Sequence, residues 1–214
     1  RLGDLFGHRR MFLSGIGLFT AASLACGLAS SQEFLIAARA VQGLGGAVVS
    51  AVALSLLMML FTEPADRAKA MGVFGFVLSG GGVVGVLAGG ILTDLLSWHW
   101  IFLVNLPIGI AVFLLTLRLL PADGEAMATG RVDYAGAITV TGALMLAVYA
   151  IVNGNEQGWG SAQTLGTLGA AVALMVVFLL IESRIANPLM PLGIFRNRSV
   201  STANILGALM AAGL

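Results

Sequence analysis

The sequence is poor in charged residues. Lysine, arginine, aspartate and glutamate make up 10% of its 214 residues, whereas hydrophobic residues make up 58%. Soluble domains carry about 25% charged residues, so this little charge cannot cover the surface of a soluble globule. The composition therefore predicts an integral membrane protein. The net charge of +1 gives no indication of a nucleic-acid partner.

Cysteine and histidine are also scarce, which limits the chemistry. A single cysteine, Cys26, excludes an internal disulfide and a multi-cysteine metal site, and it is interpreted as a small packing residue. His8 and His99 fall in predicted loops without the companions of a metal site. No Ser-His-Asp arrangement, HExxH motif or pair of carboxylates within a span stands out. We therefore expect neither an enzyme nor a metal or organic cofactor.

The two ends of the sequence resemble internal positions of a longer chain. The sequence opens with RLGDLFGHRR, without a methionine, and it ends at Leu214 within an apolar run. A basic segment followed by a short apolar core and a cleavage site is absent, so no signal peptide is predicted. The sequence is expected to be a fragment.

Long apolar stretches dominate the rest of the chain. A helix needs about 17–25 apolar residues to cross the hydrocarbon core, and alternation of apolar and polar residues typical of a membrane barrel is absent. Backbone groups in lipid need partners within the segment, so we expect helices. The fold class is predicted to be all-α, a polytopic membrane helix bundle. The predicted spans are 11–30, 34–62, 70–96, 98–120, 134–153 and 162–182, with a seventh starting near 200.

The basic residues lie almost entirely in alternate connections. Ten of the eleven lysines and arginines fall in one set of loops, whereas the other set contains none. The positive-inside rule assigns the basic set to the cytoplasm, and Trp98, Trp100 and Trp159 then lie at the outer interface. The polar segment 121–132 is predicted to be the longest cytoplasmic loop. The basic connections are 1–10, 63–69, 118–133 and 183–199.

Arg39 is the one basic residue outside these loops. It lies about two turns below the outer end of the second span, where a charge costs about 2.5 kcal/mol or more. We expect it to face a cavity or a partner, with Gln42 three residues on sharing its helix face. The alternative is that Arg39 snorkels to the outer headgroups.

Other polar residues mark helix ends and one kink. Asp133 is predicted to N-cap the fifth span and Ser199 the truncated one. Asp94 and Glu182 lie at span ends and are interpreted as interfacial. Asn105 and Pro107, inside the fourth span, predict a kink, since proline frees a carbonyl that the asparagine can bind.

The third span is rich in glycine. Gly80, Gly82 and Gly85 have the G-x-G-x-x-G spacing of a dinucleotide-binding loop, but that loop must follow a β-strand and open a helix in a soluble unit. Membrane-length apolar flanks exclude that interpretation. Gly81, Gly85 and Gly89 recur every four residues, which predicts a smooth face for close helix packing.

Four segments match the motifs of one transporter family. RLGDLFGHRR resembles G-x-L-x-D-R-x-G-R-[KR], and RAVQGLGGA resembles R-x-x-Q-G-x-G-A. GVVGVLAGGIL resembles G-x-x-G-P-x-x-G-G with Val86 for proline, and SWHWIFLVNLPIG resembles W-R-W-I-F-x-x-N-x-P-x-G with His99 for arginine. The chain thus resembles the major facilitator superfamily, in particular its fourteen-span drug:proton antiporters. The matching residues include Asp4, Gly7, Arg9, Arg10, Arg39, Gln42, Gly43, Gly45, Gly82, Gly85, Gly89 and Gly90.

The resemblance implies a major-facilitator-type bundle of which this chain holds family spans three to eight and the start of nine. It would lie in the cell membrane, here the bacterial inner membrane. The implied parts are 1–120 within the amino-terminal half, 121–133 as a cytoplasmic loop, 134–182 as two additional central spans, 183–199 as a cytoplasmic linker and 200–214 as the start of the carboxy-terminal half.

The resemblance also implies export of amphipathic, hydrophobic or cationic drug-like molecules in exchange for protons by alternating access. The partners would be that small molecule, protons and the lipid bilayer, and a periplasmic adaptor is left open. Arg39, beside Gln42, would couple proton movement in the cavity wall. A charged cytoplasmic latch would consist of Asp4, Arg9 and Arg10, with Gly7 permitting its turn. The third span would pack and bend through Gly81, Gly82, Gly85, Gly89 and Gly90, although Val86 replaces the bend-shaping proline.

Two other functions stay open on sequence alone. The first is a non-transporting membrane scaffold or sensor on the same fold, which has no need of an arginine facing a cavity. The second is a nutrient symporter or facilitator, which dependence of efflux on an imposed pH gradient would separate from antiport.

Overall fold

The computed structural model describes residues 2–123, 133–185, 189–190 and 192–212, and within these ranges the chain is helical without a β-strand. Nine α-helices and one 3₁₀ helix occur in the described ranges. They are α1 (Leu2–Phe6), α2 (His8–Gly27), α3 (Gln32–Leu60), α4 (Pro64–Leu95), α5 (Trp100–Leu103), α6 (Asn105–Leu119), α7 (Tyr134–Gln157), α8 (Ala162–Arg184), the 3₁₀ helix Leu192–Arg196 and α9 (Arg198–Ala212).

Six helical segments are long and apolar enough to cross a membrane, which confirms the six predicted spans. Helices α5 and α6 together form the fourth, Trp100–Leu119. The helix ends differ from the apolar limits. Residues 1–10 were predicted to be a loop, yet they contain α1 and the start of α2, and α4 begins at Pro64 within the predicted loop 63–69. Hydropathy indicates where a segment leaves the hydrocarbon core, whereas a helix continues beyond that point as long as its backbone hydrogen bonds are formed.

Side-chain caps set several helix starts. Asp133 accepts a hydrogen bond from the Gly136 amide at 2.8 Å, which confirms it as the N-cap of α7. The predicted cap Ser199 is wrong, because α9 starts at Arg198 and the Asn197 side chain accepts from the Ser199 amide at 3.0 Å. Asparagine one residue before the helix therefore takes the place given to the serine.

The chain falls into two compact units, Arg1–Thr129 and Gly130–Leu214. In the first, α2 packs closely against α3. A Cβ added to Gly45 on α3 would lie 2.6 Å from the Phe19 backbone nitrogen on α2, and one added to Gly15 would lie 2.9 Å from Val48. Small residues thus allow the two backbones to approach, as is typical of membrane helices.

In the second unit, α7 and α8 pair through small buried residues. Ala143 and Ala150 on α7 and Ala171 on α8 are nearly inaccessible to solvent, and Phe178 on α8 is also buried. Dispersion contacts between closely spaced backbones hold such a pair, since lipid tails are as apolar as the side chains.

Helix α4 contributes no buried residue. A Cβ built on Gly81, Gly82, Gly85 or Gly90 would meet no described atom within 4 Å, and one on Gly89 would lie 3.6 Å from Ile101. The glycine face is therefore open in the described part of the chain, and its packing role stays a prediction. The helix is continuous through Val86, whose side chain is 78% exposed.

Candidate functional site

A buried polar network joins α2 and α3. The Gln42 side chain is 2% exposed, and its Nε2 donates to Ser23 Oγ at 2.5 Å. Ser23 is fully buried, and its hydroxyl donates to the Phe19 carbonyl at 2.8 Å. The Cys26 sulfur lies 3.9 Å from Gln42 Oε1. Both the nitrogen and the oxygen of the Gln42 carboxamide therefore have a polar partner, as is usual for buried polar groups.

This network holds Arg39. Arg39 Nη1 donates to Gln42 Oε1 at 2.6 Å, and the guanidinium carbon lies 5.6 Å from the ring centre of Phe102 on α5. A cation near an aromatic face within about 6 Å is attracted by the ring quadrupole. The Arg39 residue is exposed in this chain. N–H groups of its guanidinium therefore remain available to donate hydrogen bonds to a group that lies beside α3.

The Arg39–Gln42 pair was predicted from spacing, whereas Ser23 and Phe102 were not. They come from α2 and α5, so only the packing of helices brings them to the pair. Cys26 was interpreted as a packing residue. Cys26 is buried, which agrees with that interpretation. Its sulfur also contacts the Gln42 carboxamide oxygen, a contact that the sequence did not predict.

A second cluster forms where α1 meets α2. Gly7 separates the two helices with a φ of 92°, in a region that side chains other than glycine rarely adopt. Asp123, which follows α6, accepts from the Arg9 amide at 2.8 Å through Oδ1 and from the Arg10 amide at 2.9 Å through Oδ2. The carboxylate therefore caps the N-terminus of α2, where it also complements the helix dipole.

The charged side chains of this cluster have different partners. Arg9 Nη2 donates to the Leu117 carbonyl of α6 at 2.7 Å. His8 Nε2 lies 3.3 Å from an Asp4 carboxylate oxygen, and the Arg10 side chain is exposed. Sequence reasoning missed Asp123, because a single aspartate in a polar loop gives no sign of which helix it caps.

The fourth span is interrupted where Asn105 and Pro107 lie. Helix α5 ends at Leu103 and α6 begins at Asn105, and Asn105 Nδ2 donates to the Ile101 carbonyl at 3.3 Å. A cavity of about 330 Å³ lies between α2 and α6. Its lining is apolar apart from Thr20 and includes Gly17, Leu24, Leu106, Gly109 and Phe113.

Within the described ranges, no group of three or more histidine, cysteine, aspartate or glutamate side chains could hold a metal ion. The described residues instead hold the Arg39 guanidinium on the membrane-spanning helix α3. They also cap the N-terminus of the neighbouring helix α2 with the Asp123 carboxylate. Together these features define a multi-pass α-helical membrane protein with a polar site inside its spans.

Comparison with known proteins identifies the family. The model of the Major Facilitator Superfamily matches residues 1–214, and the chain belongs to that family. It is 42% identical over 198 residues to the puromycin resistance protein pur8 of Streptomyces alboniger, covering 92% of this chain and 39% of the relative. It is also 40% identical to the cephamycin export protein CmcT of Amycolatopsis lactamdurans, covering 100% of this chain and 44% of the relative.

A third relative is the multidrug transporter protein MdtP of Bacillus subtilis, 35% identical, with 100% of this chain and 39% of the relative covered. The chain therefore spans about two fifths of the length of these relatives. Membership in this family and the transporter names of the relatives agree with the expectation of a transporter rather than an enzyme.

Proposed function

We propose that the natural protein exports drug-like amphipathic molecules in exchange for protons, with Arg39 as the coupling cation. The relatives named for puromycin resistance, cephamycin export and multidrug transport support export of such molecules. The observation that carries the coupling role is Arg39, held by the buried Gln42 on a membrane span.

The physical role of Arg39 follows from its permanent charge. A guanidinium keeps its proton in proteins, so Arg39 cannot itself carry the exchanged proton. It can stabilise an ionised carboxylate or an anionic group beside it and lose that partner when the group becomes protonated. Gln42, Ser23 and Phe102 hold the cation in one place, so that its field acts on one location.

The test is efflux of a fluorescent cationic drug from vesicles that contain the full-length natural protein, with and without an imposed pH gradient. We expect Arg39→Ala to abolish gradient-driven efflux and Arg39→Lys to retain part of it, because lysine keeps the charge but cannot reproduce the guanidinium geometry. Lys69→Arg, a conservative change at an exposed side chain near the start of α4, is the matched control.

Unchanged efflux in Arg39→Ala would remove the coupling role. Efflux that ignores the gradient in the unmodified protein would favour a facilitator. A scaffold or sensor would give no efflux at all, and the present proposal would then fail as a whole.

We further propose that the basic connections 1–10, 63–69, 118–133 and 183–199 lie on the cytoplasmic side. Residues 134–182 would then form the two central spans between the halves. The charge distribution supports this orientation. Single cysteines at Lys69 and Asn155, in a Cys26→Ser background, should react with an impermeant thiol reagent from opposite sides of the membrane, and reaction from the same side would contradict it.

A further inference from the structure

The cavity of about 330 Å³ between α2 and α6 lies at the surface of the first unit. Its lining residues Leu24, Ile110 and Leu114 are 41%, 54% and 54% exposed. Thr20 is the only polar side chain of the lining, and its hydroxyl is buried against Gly109 of α6. Both helices belong to membrane-spanning segments, so the cavity lies at the depth of the lipid acyl chains.

This cavity is suited to an apolar occupant. A buried water molecule needs about two to four polar partners, and the lining offers only the Thr20 hydroxyl. An empty space of this size would forfeit the dispersion contacts of the side chains that surround it. We therefore expect a flexible apolar group from the surroundings to fill it.

Two arginines extend the faces of α2 and α6 that line the cavity. Arg10 precedes Gly17 by two helical turns, which places it on the cavity face of α2 at about 10 Å along the axis. Arg118 follows the lining residue Leu114 by one turn, or about 6 Å along α6. Both arginines are exposed.

The two arginines lie at the same end of the cavity, because the start of α2 contacts the end of α6. Arg9 Nη2 donates to the Leu117 carbonyl at 2.7 Å. Asp123, which follows α6, accepts from the Arg9 and Arg10 amides at 2.8 Å and 2.9 Å. In the described part of the chain, the guanidinium groups of Arg10 and Arg118 have no hydrogen-bond or ion-pair partner.

We propose that the α2–α6 cavity binds one acyl chain of an anionic phospholipid, whose phosphate is held by Arg10 and Arg118. The depth agrees with this occupant. One leaflet contributes about 15 Å of hydrocarbon, and the stretch of α2 from Gly17 to Leu24 lies about 10–20 Å beyond Arg10. A chain whose headgroup lies at Arg10 therefore reaches the cavity.

The charges at this end favour an anionic headgroup over a zwitterionic one. The described residues of α2, α6 and the segment after α6 bring three arginines, Arg9, Arg10 and Arg118, to one carboxylate, Asp123. Both oxygens of that carboxylate already accept from backbone amides. Guanidinium groups bind phosphate through paired N–H donors, and basic pockets between membrane helices attract anionic headgroups.

Lipid titration of the full-length natural protein, followed by native mass spectrometry, tests the headgroup contacts. We expect dioleoyl phosphatidylglycerol to bind at least tenfold more tightly than dioleoyl phosphatidylcholine, which has the same chains. Arg10→Gln and Arg118→Gln should each weaken binding of the anionic lipid about fivefold, and the double variant about 25-fold. Arg184→Gln, which removes an exposed arginine of α8, is the matched control and should leave binding unchanged.

Filling the cavity tests the contact with the acyl chain. A Cβ on Gly17 would lie 3.9 Å from the Phe113 ring, so Gly17→Leu places a side chain in the cavity without a collision at Cβ, and leucine favours a helix more than glycine. This variant should weaken binding of the anionic lipid at least tenfold, whereas Gly17→Ala, which adds one carbon, should have a much smaller effect. Glycerol 3-phosphate, which has the phosphate without chains, should not compete at the lipid's concentration.

Equal binding of the two lipids, or unchanged binding in the double arginine variant, overturns the phosphate site. Unchanged binding in Gly17→Leu overturns the cavity as the place of the chain. Unfolding of Gly17→Leu also counts against the proposal, since it would mean that a helix from the rest of the natural protein fills the cavity. The titration measures no transport, so its outcome is independent of the efflux test of Arg39.

Discussion

Replacement of Gly7 by alanine tests how the turn between α1 and α2 is held. The backbone at Gly7 has φ 92° and ψ 134°, and an alanine held there is strained by about 1–3 kcal/mol. The added Cβ would also collide with the Asp123 carboxylate, which caps α2 through the Arg9 and Arg10 amides. Loss of such a cap costs about 1 kcal/mol. We therefore expect Gly7→Ala to lower the free energy of unfolding by about 2–4 kcal/mol.

The two contributions can be separated by a double-mutant cycle with Asp123→Ala. Asp123→Ala alone should cost about 1 kcal/mol, but it should cost almost nothing in the Gly7→Ala background, because the cap is already displaced. The coupling energy is then about 1 kcal/mol. The assay is denaturant unfolding of the natural protein in mild detergent, followed by helical circular dichroism.

A matched control is Gly72→Ala on α4, where the added Cβ would meet no described atom within 4 Å and the backbone is helical. Alanine there should be neutral or stabilise by up to about 1 kcal/mol. Strictly additive effects of Gly7→Ala and Asp123→Ala would refute the argument that the cap and the turn compete for the same space.

Two further changes address the packing of α2 on α3, and both are measured by the same unfolding assay. Ser23→Ala should destabilise the protein by about 1–3 kcal/mol, because the buried carboxamide loses its acceptor. Cys26→Ala should cost less, since its sulfur is only a distant partner at 3.9 Å, and an equal cost would contradict this ranking. Gly45→Ala should cost about 1–3 kcal/mol by forcing the Phe19 backbone away, whereas Gly46→Ala, whose Cβ would lie 3.6 Å from the Phe19 ring, should be nearly neutral. Similar effects of the two glycine changes would mean that the helices can separate without cost.

The spans could be predicted from the sequence because length and hydropathy together determine whether a segment can cross a bilayer. Each of the six predicted spans corresponds to one described helical segment that is long and apolar enough to cross a membrane. The exact ends could not be predicted, since α2 begins at His8 and α4 begins at Pro64, both outside the apolar stretches. Pro64 even favours such a start, because the first helical position needs no amide donor.

The candidate site was predictable only where its members are close in sequence. Arg39 and Gln42 share a helix face three residues apart, so spacing alone indicated the pair. Ser23 and Phe102 reach it from other helices, and Asp123 reaches the start of α2 from the far end of α6. Such contacts depend on which helices pack together, and hydropathy carries no information about that.

Glu182 shows why the position of a charge within a span does not determine its environment. Its place at the end of a span suggested the membrane interface, and Asp133 suggested a helix cap. The structure brings both to the same buried point and supplies backbone amides from Leu189 and Met190. The sequence gives no sign of this pair, because the two residues are far apart in the chain and only the packing of α7 against α8 brings them together.

The carboxylates at helix ends provide specificity that apolar packing cannot. Lipid tails are as apolar as leucine or valine side chains, so exchanging one apolar helix neighbour for another changes the free energy little. A carboxylate that receives two amide donors, as Asp123 and Glu182 each do, requires one particular partner segment. Asp123 thereby fixes the end of α6 to the start of α2, and Glu182 fixes the segment after α8. In a chain with so little charge, a few acidic residues at helix ends determine which connections lie together.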